Sequence, residues 1–485
     1  MDAKPPDTSP VTPPSRQSEL TRRVDDFFEI SKRGSTIRTE LIAGGATFLT
    51  MAYILVVNPQ ILTALPDSEG ITLPFDGVVA ATALVAGVLT LAYAFFTNYP
   101  FAMAAGLGLN AFVAFTLVAQ AQLTWPQAMG VIVVEGLVIA ALVLTGFREA
   151  VLNAIPMDLK RAIGIGIGLF IAFIGLDVAG VVVHPEAGAP IVTLNQDLTS
   201  LPILTFAVGL AITMGLVARR IRGALLIGIV LTTIVASIIN AITGHPIYAD
   251  VAPGVAPGTL PDQIVDAPNF ALLGDFSFGF FTAETIGLVT AFALVASVML
   301  SDFFDTMGTV IGVGGEAKLL DREGRLPRIG RVLFVDSLGA AAGGAASASS
   351  NTTYIESAAG VSEGGRTGLT AAVVGVLFLL ALFLAPWAQT VPREATAPVL
   401  ILVGYFMMTI VREIRWTDPA IGIPALLTII VQPLTFSITN GVGAGFLAYT
   451  VIRVFQGKWR EVHPLMYLVS AVFAWYFVEG IAPVG

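Results

Sequence analysis

The chain has 485 residues, 55% of them apolar and only 12% charged, where an ordinary soluble protein carries about a quarter charged residues. Mean hydropathy is +0.83, and apolar runs of about twenty residues recur almost end to end, each long enough to cross a bilayer as a helix. This excludes a soluble globular protein, and the absence of cysteine excludes disulfides, thiolate metal sites and thiol nucleophiles.

The net charge of −9 matters less than where the charges fall. His184, His245 and His463 all sit beside prolines in connecting segments. Neither a histidine metal site nor a cofactor is expected.

Residues 1–19 are rich in proline and polar side chains and read as a disordered tail without a cleavable signal. Over 20–38, Leu20, Val24, Phe27, Phe28 and Ile30 form one apolar stripe among Arg22, Arg23, Lys32 and Arg33. That pattern predicts an amphipathic helix lying on the membrane surface.

Candidate spans follow at 41–63, 77–97, 101–119, 127–146, 162–183, 201–217, 223–241 and within 284–314. The series continues at 329–346, 347–361, 368–385, 397–414, 420–435 and 439–455, about fourteen in all. The last apolar stretch, 464–478, falls short of the roughly 17–25 residues a span needs and predicts an interfacial helix.

On this map 24 of the 25 Lys and Arg residues lie on one side, Arg393 being the exception. The opposite loops carry Asp67, Asp76, Asp197, Asp250 and Asp275 but no base other than Arg393. The positive-inside rule therefore puts the N-terminus in the cytoplasm of an inner or plasma membrane. No basic, aromatic surface for nucleic acid is present.

Two segments break the helical pattern. The stretch NYPFAMAAGLGL (98–109) and the stretch GGAASASS (343–350) are poor helix, and helix resumes near Asn110 and near Tyr354. Non-helical backbone at membrane depth survives only where protein or a cavity satisfies it. A pair of such interruptions, one in each half, points to a transporter built from inverted repeats. Ile155-Pro156 and Val391-Pro392 are offset by 236 residues, and Asn110 and Glu356 by 246. Those offsets give seven spans per repeat, and an odd number inverts the second repeat. The glycines at 164, 166 and 168 and at 312, 314 and 315 lack the strand or Lys-Ser/Thr of a nucleotide loop, so helix packing is expected of Gly164 and Gly168.

An acid inside a bilayer costs roughly 2.5–3.5 kcal/mol at a helix centre and is a functional candidate. Five qualify: Glu135, Asp302, Asp305, Asp336 and Glu356. Asp302 and Asp305 are three apart and share roughly one helix face. Glu135 and Asp336 read equally as groups tying helices together.

At these residues a family resemblance becomes specific. The motifs TFLTMAYILVVNPQIL (47–62), FAMAAGLGLNAF (101–112), SDFFDTMGT (301–309) and TTYIESAAGVSEGGRTGLTA (352–371) resemble the AzgA-like purine permeases. That group is a branch of the nucleobase–cation symporters that also hold uracil and xanthine permeases. The resemblance implies an all-α polytopic fold of fourteen segments in two inverted repeats of seven, with the third and tenth segments broken. It divides the chain into core halves at 39–147 and 280–390 and gate halves at 148–243 and 391–456. An external loop then covers 244–279 and an interfacial segment 457–485.

The resemblance also implies purine contacts from Asn110 beside Gly108, from Asp305 and from Glu356. Asp302, Asp336 and Glu135 stand behind them. Phe303, Phe304, Tyr354 and Phe112 offer flat faces for a base, although aromatics at these spacings more often simply pack. Glu356 is followed by Ser-Ala-Ala-Gly where the uracil and xanthine branch has Asn-x-Gly, which favours the purine branch.

The expected function is proton-coupled import of guanine, hypoxanthine or adenine, with Asp305 the first candidate for the proton and Glu356 the second. The expected partners are the base, the proton, membrane lipid and a second copy meeting through the gate. The rival reading is a sulfate- or bicarbonate-type anion exchanger or channel, but no Lys or Arg falls at the midplane to hold an anion. An intramembrane aspartyl enzyme needs acids from two helices in a different motif, so no enzymatic activity is expected.

Overall fold

The computed structural model describes residues 19–145, 155–183, 192–250, 257–261, 263–282, 286–321 and 326–481. The expected disordered tail lies outside them. The first helix, α1 (Glu19–Phe28), is followed by a short turn at Ser31–Arg33 that Gly34 ends in the left-handed region, φ 73°. Thr36 then caps α2 (Ile37–Met51) by accepting from the Thr39 amide. The expected surface helix through residue 38 is therefore cut short. Its apolar stripe docks on protein instead: Phe28 and Ile30 bury against Ala94 and Ala371. Ser31 donates its hydroxyl and its amide to Asp25 at 2.6 and 2.7 Å, which holds that carboxyl below its usual range.

After α2 the chain breaks at Ala52-Tyr53 and continues as α3 (Ile54–Leu62) and α4 (Phe75–Phe96). Strand β1 (Met103–Ala105) leads into α5 (Leu107–Ala111), which widens into a π-helical stretch over Phe112–Gln120. Next come α6 (Trp125–Thr145), α7 (Met157–Val178) and a small hairpin of β2 (Val182–Val183) with β3 (Thr193–Leu194). The chain continues with α8 (Leu201–Ala218), α9 (Ala224–Thr243), the long α10 (Gly287–Glu316) and α11 (Ile329–Ala345). Strand β4 (Asn351–Thr353) precedes α12 (Ser357–Ser362), α13 (Gly368–Ala381) and α14 (Ala385–Gln389). The last helices are α15 (Arg393–Met408), α16 (Pro419–Leu434), α17 (Ile438–Phe455) and α18 (Pro464–Ile481). Among the described residues, ten segments are long and apolar enough to cross a membrane.

Close backbone approach, made possible by glycine, holds the helices together. Helix α4 meets α13 where a Cβ on Gly375 would sit 2.8 Å from the Gly87 carbonyl oxygen, and α7 meets α15 where a Cβ on Gly404 would sit 2.4 Å from that of Gly168. Gly164, expected to pack likewise, has open space beside it. Polar anchors tie α1, α2 and α13 together. Arg33 donates to the carbonyls of Asn98 (2.6 Å) and Arg366 (3.1 Å), and buried Glu40 accepts from the Arg366 and Thr367 amides and the Thr370 hydroxyl.

The C-terminal stretch, expected as an interfacial helix over 464–478, forms α18, whose 18 residues run antiparallel along α17. Tyr476 donates to Asn440 at 3.1 Å, Phe473 packs edge-on against Phe446, and the hydroxyls of Ser470 and Thr450 meet at 2.8 Å. Phe473 and Met466, buried at 0% and 1%, fix the helix against the protein.

Gly343 tests the packing beside β4. A Cβ there would stand 2.0 Å from the Ser349 carbonyl oxygen and 2.5 Å from Asn351 Nδ2. Gly343→Val is expected to cost about 1–3 kcal/mol by overpacking and to lower the thermal unfolding midpoint in detergent. Gly45→Ala, with nothing within 4 Å of the new carbon, is expected to leave that midpoint in place.

Candidate functional site

The two predicted breaks are real and solve each other's problem. Strands β1 and β4 pair antiparallel, Met103 with Thr353, Ala104 with Thr352 and Ala105 with Asn351. The pairing extends at both ends, Gly106 N donating to Ser350 O and Tyr354 N to Ala102 O, each at 2.9 Å. Left-handed, non-glycine residues mark the entries: Asn98 (φ 55°) before β1, and Ser347 (φ 56°) and Ser349 (φ 67°) before β4. Such residues cost of order 1–3 kcal/mol each and persist only where their surroundings hold them. Asn58 of α3 is one such hold, donating to Thr82 Oγ1 (2.8 Å) and to the Ala348 carbonyl (3.2 Å).

Asp336 of α11 clamps β4 to its neighbours. Its carboxylate accepts from the Thr353 amide (3.0 Å), the Thr353 hydroxyl (2.7 Å), the Thr306 hydroxyl of α10 (2.7 Å) and the Tyr93 hydroxyl of α4 (3.2 Å). Four donors make Asp336 a support for the strand pair. Glu356 directly precedes α12, is half-buried, and accepts from the buried Tyr53 hydroxyl at 2.7 Å. Tyr53 sits at the break between α2 and α3, so that break aims a phenol at an acid 303 residues away.

Helix α10 carries its two acids in contrasting places. Asp305 is exposed, as are Gly308 and Gly312 further along the same face and Ile355 next to Glu356. Asp302, one turn back, is fully buried. Asn110 of α5 is fully buried too, and neither its Oδ1 nor its Nδ2 has a partner. An unpaired buried amide costs about 1–3 kcal/mol, and a ligand offering both a donor and an acceptor would relieve it. Helix α5 touches α10, and α10 touches α12 and β4, so α10 brings Asp305 alongside the strand pair, with Asn110 following the Ala105–Asn351 end and Glu356 following the Met103–Thr353 end.

The other expected site residues fall as follows. Tyr354 is buried and its hydroxyl donates to the Ala105 carbonyl at 2.5 Å, locking β1 to β4. Gly108 lets α5 approach α7, since a Cβ there would meet Ile167 Cγ2 at 2.4 Å. The Phe304 side chain lies outside the described residues. Glu135 of α6 is fully buried without a partner. Sequence reasoning missed Tyr53, Tyr93, Thr306 and Thr353. Tyr53 lies inside a quoted motif, but nothing in its spacing links it to Glu356.

A polytopic helical body with a polar site at two crossed chain breaks is the layout of a membrane permease. The chain belongs to the Permease family, whose model matches residues 38–443. It is 37% identical to the guanine/hypoxanthine permease PbuG of Bacillus subtilis, over 93% of this chain and 99% of that protein. It is also 37% identical to the adenine permease AdeQ of Escherichia coli, over 92% and 94% of the two chains. Among solved structures, the transmembrane domain of the cyanobacterial bicarbonate transporter BicA superposes with a TM-score of 0.59 at 15% identity, covering 84% of this chain and 96% of that one. That likeness is one of fold.

Asp336→Asn turns one acceptor oxygen into a donor facing donors. It is expected to lower the unfolding midpoint in detergent, with at least one hydroxyl left unpaired at about 1–3 kcal/mol. An unchanged midpoint would remove the clamp role.

Proposed function

We propose that the protein is a secondary active transporter importing purine nucleobases, guanine, hypoxanthine or adenine, by proton symport. The observation that carries this reading is the fully buried, unpaired amide of Asn110, gathered with accessible Asp305 and Tyr53-held Glu356. Purine edges present ring N–H and exocyclic NH₂ donors beside O6 and N7 acceptors. Carboxylates accept from the donors, and an Asn amide both donates and accepts. With Tyr53 on one Glu356 oxygen, the other serves a base N–H. Relatives named guanine/hypoxanthine and adenine permeases support the substrate class.

In this reading the segments form fourteen spans in two inverted repeats. A core body around the strand pair slides against a gate body of α7–α9 and α15–α17 in an elevator-like cycle, and a second copy meets it through the gate. The N-terminus lies in the cytoplasm of the inner or plasma membrane. Purines are mostly neutral at physiological pH, so accumulation needs a driving ion, and carboxyl groups suit a proton. Asp305 carries that proton and Glu356 is the principal acceptor for the base. Anion exchange is disfavoured, because Asp305, Glu356 and Asp336 would repel an anion.

Base uptake in proteoliposomes under imposed pH and sodium gradients tests this. Accumulation is expected to follow the pH gradient. Asp305→Asn is expected to lose accumulation while keeping base exchange, since Asn mimics a permanently protonated acid. Glu356→Gln is expected to weaken base binding by about 1–3 kcal/mol, and Tyr53→Phe by about 0.5–1.5 kcal/mol. Accumulation driven by sodium alone, or bicarbonate uptake without base uptake, would overturn the reading.

A further inference from the structure

Two acids stand apart from the base site. Glu135 of α6 and Asp302 of α10 are both fully buried. Their carboxyl groups lie within hydrogen-bonding reach of each other, yet none of the four oxygens has a donor among the described residues. Ser350 Oγ lies close to Glu135 and, like Ser349 Oγ, has no partner of its own. Asp336, by contrast, receives four donors.

The titratable groups facing the pair are Asp336 of α11, Asp305 on α10 itself and Tyr93 of α4, three acids or phenols and no base. Two carboxylates side by side in such a buried place would repel each other and Asp336. One proton shared between them removes that repulsion and supplies the missing hydrogen bond. The hydroxyl of one carboxyl group donates to an oxygen of the other.

We propose that Glu135 and Asp302 hold one proton between them and accept a second from Asp305, so that the pair stores the coupling proton away from the base. This rests on the proton-symport reading above. Asp305 and Asp302 are one helical turn apart on α10, one exposed and one fully buried. The proton enters at Asp305, passes to the singly charged pair, which becomes neutral as Asp305 becomes a carboxylate, and returns by the reverse step. Glu135 acts through Asp302 and touches no substrate, so it is a positioning residue.

Infrared difference spectroscopy on the reconstituted full chain without base reads the pair directly. A carboxylic-acid C=O band is expected at neutral pH, shifted by deuterium exchange, lost in Glu135→Gln and Asp302→Asn, and kept in Asp305→Asn. In proteoliposomes, a gradient of one pH unit is a tenfold driving force for one coupled proton. Accumulation by Glu135→Gln is therefore expected to fall about tenfold under that gradient, with base affinity unchanged and the pH dependence of exchange flattened.

The exchanged pair, Glu135→Asp with Asp302→Glu, is expected to keep both the band and accumulation, and it decides the matter if the single variants do not fold. Absence of the band in the wild type, its persistence in both single variants, or full accumulation by Glu135→Gln would overturn the proposal. So would an exchanged pair that folds without accumulating base. If the wild type takes up no base at all, the purine reading fails while the infrared band still decides the pair.

Discussion

Everything at the centre of this protein depends on one requirement: extended backbone inside an apolar helical body must have its N–H and C=O groups satisfied. Each orphaned group costs about 1–3 kcal/mol. The two broken segments meet the requirement by pairing with each other, β1 against β4. Side chains then close the remaining gaps. Thr90 of α4 exchanges hydrogen bonds with Met103 at 3.0 and 3.2 Å, and Ser357 Oγ accepts from Ala102 N at 3.0 Å. A strand pair held this way can be reached only by a chain that twice turns sharply, and the left-handed residues at 98, 347 and 349 are where that strain sits.

Once the strand pair is fixed, the polar residues around it divide by how many donors each receives. Asp336 has four and is spent on structure. Glu356 has a phenol on one oxygen. Asn110 has nothing on either heteroatom. That ordering supports the proposed base contacts at Asn110, Asp305 and Glu356 better than the identity of the residues alone.

Much of this was legible in the sequence, because its strongest signals are local. Hydropathy located the long helices: α8 was expected at 201–217 and is found at Leu201–Ala218, and α17 was expected at 439–455 and is found at Ile438–Phe455. Pro and Gly at 100, 106 and 108, and the small residues of 343–350, marked both breaks. Partnerships across hundreds of residues were not legible. Tyr53 carries no periodic signal toward Glu356, nor Tyr93 toward Asp336. Nor was the partner of the C-terminal helix legible, although Phe473 and Ser470 match the face of α17 they cover. Gly360, noted for its displacement in the tenth-segment motif, has a packing reason, since a Cβ there would stand 2.3 Å from Thr47 Oγ1 and 2.6 Å from the Ala43 carbonyl oxygen.

The same reasoning separates two acids that the sequence presents as near equals. Asp302 and Asp305 are three residues apart on one helix, with Phe303 and Phe304 between them. Rotation about the helix axis sends Asp305 to the accessible face shared with Gly308 and Gly312, and Asp302 into the contact between α10 and α6. The glycines keep that face open, for any larger side chain at 308 or 312 would project over the approach to Asp305. The contact with α6 is closed by opposite means. Gly136 and Gly344 bring α6 and α11 together so tightly that an added Cβ would meet backbone atoms at 2.3 and 2.8 Å, which leaves little room for water beside Glu135. An exposed acid and a buried one, one turn apart, differ in how their charged forms are solvated, and where glycine stands on three helices sets that difference.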